Sequence, residues 1–210
     1  MKQQDTKNKI IEKALELFSK NGYDSVSVAQ IAEAVGIKAP SLYNHFTSKR
    51  EIFDDIVKNT ATQYEKYTDE IDVHIQDVKK DINVFTNITQ EFLIQKVRQI
   101  FLYSIHNKTI SRFRRMMTIE QFRSTELARL YSDRFIDRLV TYHSNIFDKL
   151  IKCGELKAEN ADTLALMYTA PVISLLGICD RQPEREQECL IKLDEHVRLF
   201  YRTFRQNHIS

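Results

Sequence analysis

Ser27 to Phe46, SVAQIAEAVGIKAPSLYNHF, decides how the rest of the chain is read. Val28, Ile31, Ala32 and Val35 recur at i, i+3, i+4 and i+7, the spacing that lays an apolar stripe along one side of a helix. Ser27 stands just before that stripe, where its hydroxyl can accept from a free N–H of the first turn. Ala32 lies mid-stripe and is small enough to let a second helix cross closely. Gly36 ends the helix, because a residue there commonly needs positive φ and glycine adopts it without a Cβ penalty. The second helix opens near Ala39, with Pro40 in the first turn, where its missing N–H costs nothing. Leu42 and Phe46, joined by Ile37 from the turn, face inward. Ala39, Pro40, Ser41, Tyr43, Asn44 and His45 are left facing out or lying at the open N-terminal end. Small and hydrogen-bonding groups at the front of an exposed helix suit a major groove, which admits a helix and displays donors, acceptors and thymine methyls. A plain helical hairpin with a polar surface is the alternative that this stretch leaves open.

The flanking residues narrow the choice. Ahead of the pair, a helix starting near Thr6, after a frayed Met1–Asp5 tail, carries Ile10, Ile11, Ala14, Leu15, Leu17 and Phe18 inward and ends at Asn21-Gly22-Tyr23. Behind the pair, Leu42-Tyr43-Asn44-His45-Phe46 is followed by Ser48-Lys49. From Lys9 to Phe53 the chain resembles the DNA-binding domain of the tetracycline-repressor-like family of bacterial regulators. Elsewhere it matches that family only in length and helical character. The resemblance implies an all-α fold: an N-terminal three-helix helix-turn-helix domain over residues 1–48, then a larger ligand-binding and dimerisation domain over 49–210, about nine helices in all. It also implies that Thr6 and Lys7 touch a phosphate. One departure is Lys38, where the family often has Ser or Thr. A side-chain cap on the recognition helix is therefore expected to be missing, and the lysine is free to reach a phosphate. With Ser27 at one helix start, and with Ser48, Lys49 and the free N–H groups at the start of the fourth helix as a phosphate clamp, these residues complete the expected DNA-binding set.

Composition agrees with such a protein. Four glycines, three prolines and 42% apolar residues point to long helices with few turns. The net charge of +2 is weak, and residues 1–58 hold nine Lys or Arg against eight Asp or Glu, so charge has to act by placement. No apolar run near 18 residues is apparent, which leads us to expect a cytoplasmic protein with no membrane partner. Cys153, Cys179 and Cys189 form no CxxC pair, so neither a disulfide framework nor a metal site is expected. We find no GxSxG, P-loop, GxGxxG or HExxH, and expect no enzyme and no cofactor.

Beyond the fourth helix, from about 48 to 67, the acidic segment Thr68–Asp81 has no clear boundaries. Helices are expected over about Thr86–Asn107, Ile110–Gln121, Thr125–Cys153 with a Ser124 cap, and from Asn160 or Ala161 to Gly177 around Pro171. A final helix repeats Leu190, Leu193, Val197, Phe200 and Phe204 at gaps of 3, 4, 3 and 4, the pattern of a packing seam. With Leu164, Tyr168, Val172 and Leu175, this seam is the expected homodimer interface; closure of the protomer's own core fits the same spacing. The family implies a small-molecule effector within the larger half. Candidate lining residues are Phe101, Tyr103, His106, Phe113, Met116, Met117, Phe122, Tyr131, Phe135, Tyr142, His143, Met167 and Tyr168. The expectation is a dimeric regulator on double-stranded DNA with a palindromic operator, a repressor that a small molecule releases. Its rival is a DNA-bound regulator or adaptor with no small-molecule effector.

Overall fold

The computed structural model describes residues 2–74, 78–86 and 88–206, the side chains of 2, 3 and 78–80 excepted. Helices follow in the order α1 (Lys2–Asn21), α2 (Val28–Val35), α3 (Ala39–Leu42), α4 (Lys49–Glu70), α5 (Val78–Thr86), α6 (Gln90–His106), α7 (Lys108–Glu120) and α8 (Thr125–Ser132). A π turn (Asp133–Asp137) runs on into α9 (Arg138–Lys152), and α10 (Ala161–Arg181) and α11 (Glu186–Phe204) follow. Among the described residues there is no strand beyond one isolated bridge, Leu156 to Arg205. Counting α8, the π turn and α9 as one rod gives ten rods among the described residues, one more than expected.

That extra rod is α5, which falls partly in the acidic segment where composition gave no boundary. Its Ile82 and Phe85 pack on the core that α9 helps to form. Residues 2–5, expected to fray, are helical from Lys2 onward. Met1 and residues 75–77 lie outside the described residues. The Ser124 cap forms: Ser124 Oγ accepts Leu127 N–H at 3.1 Å at the start of α8. Asn160 likewise accepts from Thr163 N–H at 2.8 Å to open α10. α10 continues past Gly177 to Arg181 with Pro171 inside it.

Packing divides the chain into two compact units. One comprises the chain up to Tyr64 together with Asn107–Tyr131; the other comprises Glu65–His106 and the chain from Ser132 on. The sequence places residues 107–131 with the larger half, yet α7 packs along α1. Within this first unit Ile10, Ala14, Phe18, Ile31, Leu42, Phe46, Ile52 and Phe53 are buried, as are Phe113, Met116 and Met117 of α7. Inclusion of α7 and α8 also changes the charge balance: this unit holds fifteen Lys and Arg against ten Asp and Glu, and the other sixteen against nineteen. The basic side is therefore the unit that carries the crossed helices.

In the second unit two expectations fail. Leu164, Tyr168, Leu175, Leu190, Leu193, Val197 and Phe200 are buried inside the protomer, with Val172 and Phe204 packed against the same cores. The 3-4 seam thus closes the protomer's own core, because a helix lying on its neighbours needs the same spacing as one lying on a partner. Residues 161–181 also contain the apolar window that the sequence reading missed, with mean hydropathy 1.5. By length and composition α10 is able to cross a membrane; here Leu164, Ala165, Tyr168, Thr169, Leu175 and Cys179 bury one face of it against its neighbours.

Candidate nucleic-acid interface

The site is built from caps. Ser27 Oγ accepts Gln30 N–H at 3.2 Å while Gln30 Oε1 accepts Ser27 N–H at 2.8 Å, a reciprocal capping box that starts α2. Gly36 ends it at φ 82°, with the Ile37 N–H returning to Ala32 O at 3.0 Å. Pro40 sits in the first turn of α3, and Lys38 occupies its N-cap position without a side-chain cap. α3 is one turn long, carried on by His45 and Phe46 N–H bonds to Leu42 O at 2.9 and 3.1 Å. Leu42 and Phe46 anchor it in the core. Lys38, Pro40, Ser41, Tyr43 and Asn44 are exposed, Tyr43 at 54%, while Ala39 and His45 are half-buried. Together they form a continuous polar leading edge of groove-reading size.

The expected phosphate clamp at α4 has a different form. Ser48 Oγ does cap, accepting Glu51 N–H at 3.1 Å. But the Glu51 carboxylate bends back onto Thr47 N–H at 2.6 Å and Thr47 Oγ1 at 2.8 Å, bonds that hold its pKa below the usual range. An anion therefore already occupies this helix start. Lys49 is also redirected: its Nζ donates to the carbonyls of Tyr23 at 2.9 Å, Val26 at 3.0 Å and Asp24 at 3.4 Å, and lies 4.3 Å from the Tyr23 ring centre. All three N–H groups point at the loop before α2, which corrects its assignment to a phosphate. Lys7 is paired with Asp55 at 2.8 Å and lies over the Phe46 ring, and Thr6 is half-buried beside it.

Sequence reading missed the residues that hold this unit from α7. Glu120 Oε1 accepts Tyr23 N–H at 2.9 Å across 97 residues of chain. Tyr23 itself is wedged edge-on between Phe18 and Phe53, and burial raises its pKa. Arg112 faces Glu16 at 4.0 Å and Arg114 is buried, while Arg115 is exposed. Arg50 grips Glu126 at 2.5 and 3.2 Å. No pattern in α7 sets these residues apart from ordinary charged surface.

The expected effector-lining residues are divided between the two units. Phe113, Met116, Met117, Phe122 and Tyr131 belong to the first unit, where the first three are core and Phe122 is 90% exposed. In the second unit Phe101 lies in one core cluster, Tyr103 stacks on Tyr67 at 3.6 Å, and exposed His106 pairs with Glu186 at 2.9 Å. Phe135 is half-buried in the π turn and Met167 is exposed. Tyr142, His143 and Tyr168 do meet. His143 lies 5.0 Å from the Tyr168 ring and 5.1 Å from that of Tyr142, with Nδ1 2.8 Å from Leu139 O. Burial pushes its pKa down to about 4, so the ring is neutral and Nδ1 carries the donated proton. Tyr142 donates to the buried Asp81 carboxylate, which also receives His74 N–H at 2.8 Å, and burial with that carboxylate drives the phenol pKa upward. Beside Tyr168 a cavity of ≈ 30 Å³, lined by Phe147, Phe200, Leu93 and Arg205 among others, has room for a water rather than a ligand.

Two crossed helices, the first capped at both ends and the second presenting a polar edge, define a helix-turn-helix DNA-binding protein. Residues 10–56 match the bacterial regulatory proteins of the tetR family, and residues 93–205 match the AefR-like transcriptional repressor C-terminal domain. The chain belongs to the TetR family of transcriptional regulators, which are DNA-binding proteins and not enzymes. It is 26% identical over 200 residues to the probable HTH-type transcriptional regulator YttP of Bacillus subtilis, covering 95% of this chain and 88% of that one. It is 50% identical to the biofilm operon icaADBC HTH-type negative transcriptional regulator IcaR of Staphylococcus aureus, but over 52 residues, 25% of this chain and 28% of IcaR. Among solved structures, a TetR-family regulator from Mesorhizobium loti superposes with TM-score 0.68 at 18% identity, over 98% of this chain and 100% of that one. SmeT, the repressor of the Stenotrophomonas maltophilia multidrug efflux pump SmeDEF, gives 0.67 at 16%, over 100% and 95%. At these identities the two structures establish the fold.

Proposed function

We propose that this chain acts as a homodimeric repressor, bound to a palindromic operator and released by a small molecule. The observation that carries the reading is the exposed edge from Lys38 to Asn44, held on a core that leaves its polar groups free to face a duplex. Its amino-terminal part, residues 1–48, supplies the DNA contacts, and 49–210 supplies dimerisation and regulation, with α7 and α8 attached to the reading unit. Such a protein works in the cytoplasm, where the DNA is. A single one-turn helix holds few base contacts, so a second copy reading a half-site ~34–36 Å away supplies the remainder. The face for that copy is the outer side of α10 and α11, where Leu166 at 54%, Met167, Ile191 and Leu199 at 67% are exposed, opposite the seam that the protomer uses internally. A helix that is apolar on both sides is one that expects cover on both.

Repression is supported by IcaR, a negative regulator that shares half of its 52 matched residues with this chain. Effector release is supported by the existence of a SmeT–triclosan complex on the same fold. Coupling of ~1–3 kcal/mol between effector and operator would change affinity ~5–150-fold. The second reading is an adaptor with no effector: the cavity of ≈ 30 Å³ beside Tyr168 is too small for a metabolite, so that cluster offers an effector no place as it stands. Fluorescence anisotropy on a bound operator duplex, titrated with a metabolite and drug library, decides between them. Release by at least one compound class, with a matching rise in thermal stability, supports the repressor; a library-wide absence of both supports the adaptor.

A further inference from the structure

The turn Gly22–Val26 joins α1 to α2 and is held from two sides. From α4 comes Lys49, donating to the carbonyls of Tyr23, Asp24 and Val26. From α7 comes Glu120, 0% exposed, accepting the Tyr23 N–H at 2.9 Å. The second carboxylate oxygen, Oε2, has no hydrogen-bond partner, and Arg123 Nε stands 3.5 Å from it while the same guanidinium reaches Asp24 at 3.4 Å. A buried carboxylate with one oxygen unbonded is a poor source of stability, because desolvation works against it. As an orienting device it is well suited, since a charged acceptor in a dry site fixes the direction of the N–H aimed at it.

Gly22 shows how closely the two segments meet. Its φ is +82°, and its N–H returns to Phe18 O at 2.9 Å to end α1. A Cβ added there would lie 2.7 Å from Glu120 Oε1. The carboxylate thus occupies the space that any side chain at 22 would need. Four residues later Val26 enters the core and Ser27 caps α2, so the turn sets the direction in which α2 leaves, and with it α3.

We infer that Glu120 is a positioning residue for sequence-specific DNA recognition: its carboxylate fixes the Tyr23 turn and thereby the angle at which α2 and α3 present their edge. It touches no base itself. Base-edge contacts demand accurate placement, whereas phosphate contacts tolerate a loosened turn, so losing Glu120 separates the two. The inference rests on the reading of α3 as the sequence-reading helix.

The test uses the full chain and two variants, Glu120→Met, which fills the space without an acceptor, and Glu120→Gln, whose amide oxygen still accepts. Affinities for a duplex selected from random DNA and for an unrelated duplex are measured at one salt concentration, with each protein verified as folded by circular dichroism. Glu120→Met is expected to lower the specific-to-unrelated ratio about tenfold, the size of one mismatched base pair, with unrelated DNA bound within about twofold of wild type. Glu120→Gln is expected to keep the ratio within about twofold of wild type. An unchanged ratio in Glu120→Met overturns the inference, as does a Glu120→Gln ratio that falls equally far. Amide exchange of Tyr23 in the wild type needs no variant: protection well beyond the open-chain rate is expected, and exchange at that rate overturns the inference. Wild type without any preference for the selected duplex defeats the reading of α3 and this inference with it; preference with an unchanged Glu120→Met ratio defeats the inference alone.

Discussion

Replacing Lys49 with methionine separates a structural tie from a phosphate contact. Lys49 Nζ makes two bonds of good length, to Tyr23 O at 2.9 Å and Val26 O at 3.0 Å, and a long one to Asp24 O at 3.4 Å. Hydrogen bonds to charged groups contribute about 1.5–3 kcal/mol each, and the site is only part-buried, so water recovers some of this and a net loss of about 2–3 kcal/mol is expected. For a chain of this size that lowers Tm by roughly 5–10 °C. The methionine keeps the aliphatic packing over Tyr23, which limits the loss to the ammonium. Thermal unfolding gives the first number, and the slope of log K against log salt on a fixed duplex gives the second. A lysine that neutralises a phosphate contributes about 0.9 to that slope; Lys49→Met is expected to leave it unchanged within error. Full thermal stability together with a slope reduced by about 0.9 for each bound protomer, about 1.8 for the dimer, would refute the assignment and return Lys49 to the DNA.

Three further outcomes follow from the same geometry. Ser41→Ala and Asn44→Ala are expected to change which bases are preferred in a selection, while Tyr43→Ala weakens all duplexes by a similar factor; equal loss on every duplex for all three contradicts this division. Leu199→Glu, a change at a 67% exposed position, is expected to give a folded monomer by sedimentation, with operator affinity falling at least tenfold as the second half-site is lost; a dimer unchanged at micromolar concentration removes that face from the interface. His143 is held neutral, its pKa lowered from 6.5 to about 4, so the stability it confers is present above about pH 6.5 and lost as pH falls toward 4. At ~1.4 kcal/mol per unit the loss is at most about 3.5 kcal/mol, and urea unfolding of His143→Asn should show a flatter decline over that window than wild type; parallel declines count against it.

The crossed pair was legible because its signals are local. The stripe from Val28 to Val35, Gly36 and Pro40 each act within one or two turns, and each appears where the spacing placed it. Lys49 was not legible, since a lysine in the first turn of a helix reads the same whether it faces a phosphate or three carbonyls that lie 23 to 26 residues earlier. Glu120 carries no periodic signal at all, and its partner is 97 residues away. The α11 seam shows a different limit: gaps of 3 and 4 describe a buried side without saying whose surface buries it. What identifies the outer face is the residue left over, Leu199 and Ile191 on α11 and Leu166 and Met167 on α10, apolar where a finished surface would be polar. For the effector, aromatic and histidine content named thirteen candidates, but such residues fill cores as readily as they line cavities, and five of them lie in the unit that reads DNA.

Selection of bound duplexes from random DNA by the wild-type protein is the most direct test that the Lys38–Asn44 edge reads sequence. Two inverted half-sites separated by one helical turn, about 10–10.5 base pairs centre to centre, are expected, with a changed consensus when Asn44 is replaced. A pool that stays random after repeated rounds, or a consensus indifferent to Ser41 and Asn44, would contradict the account.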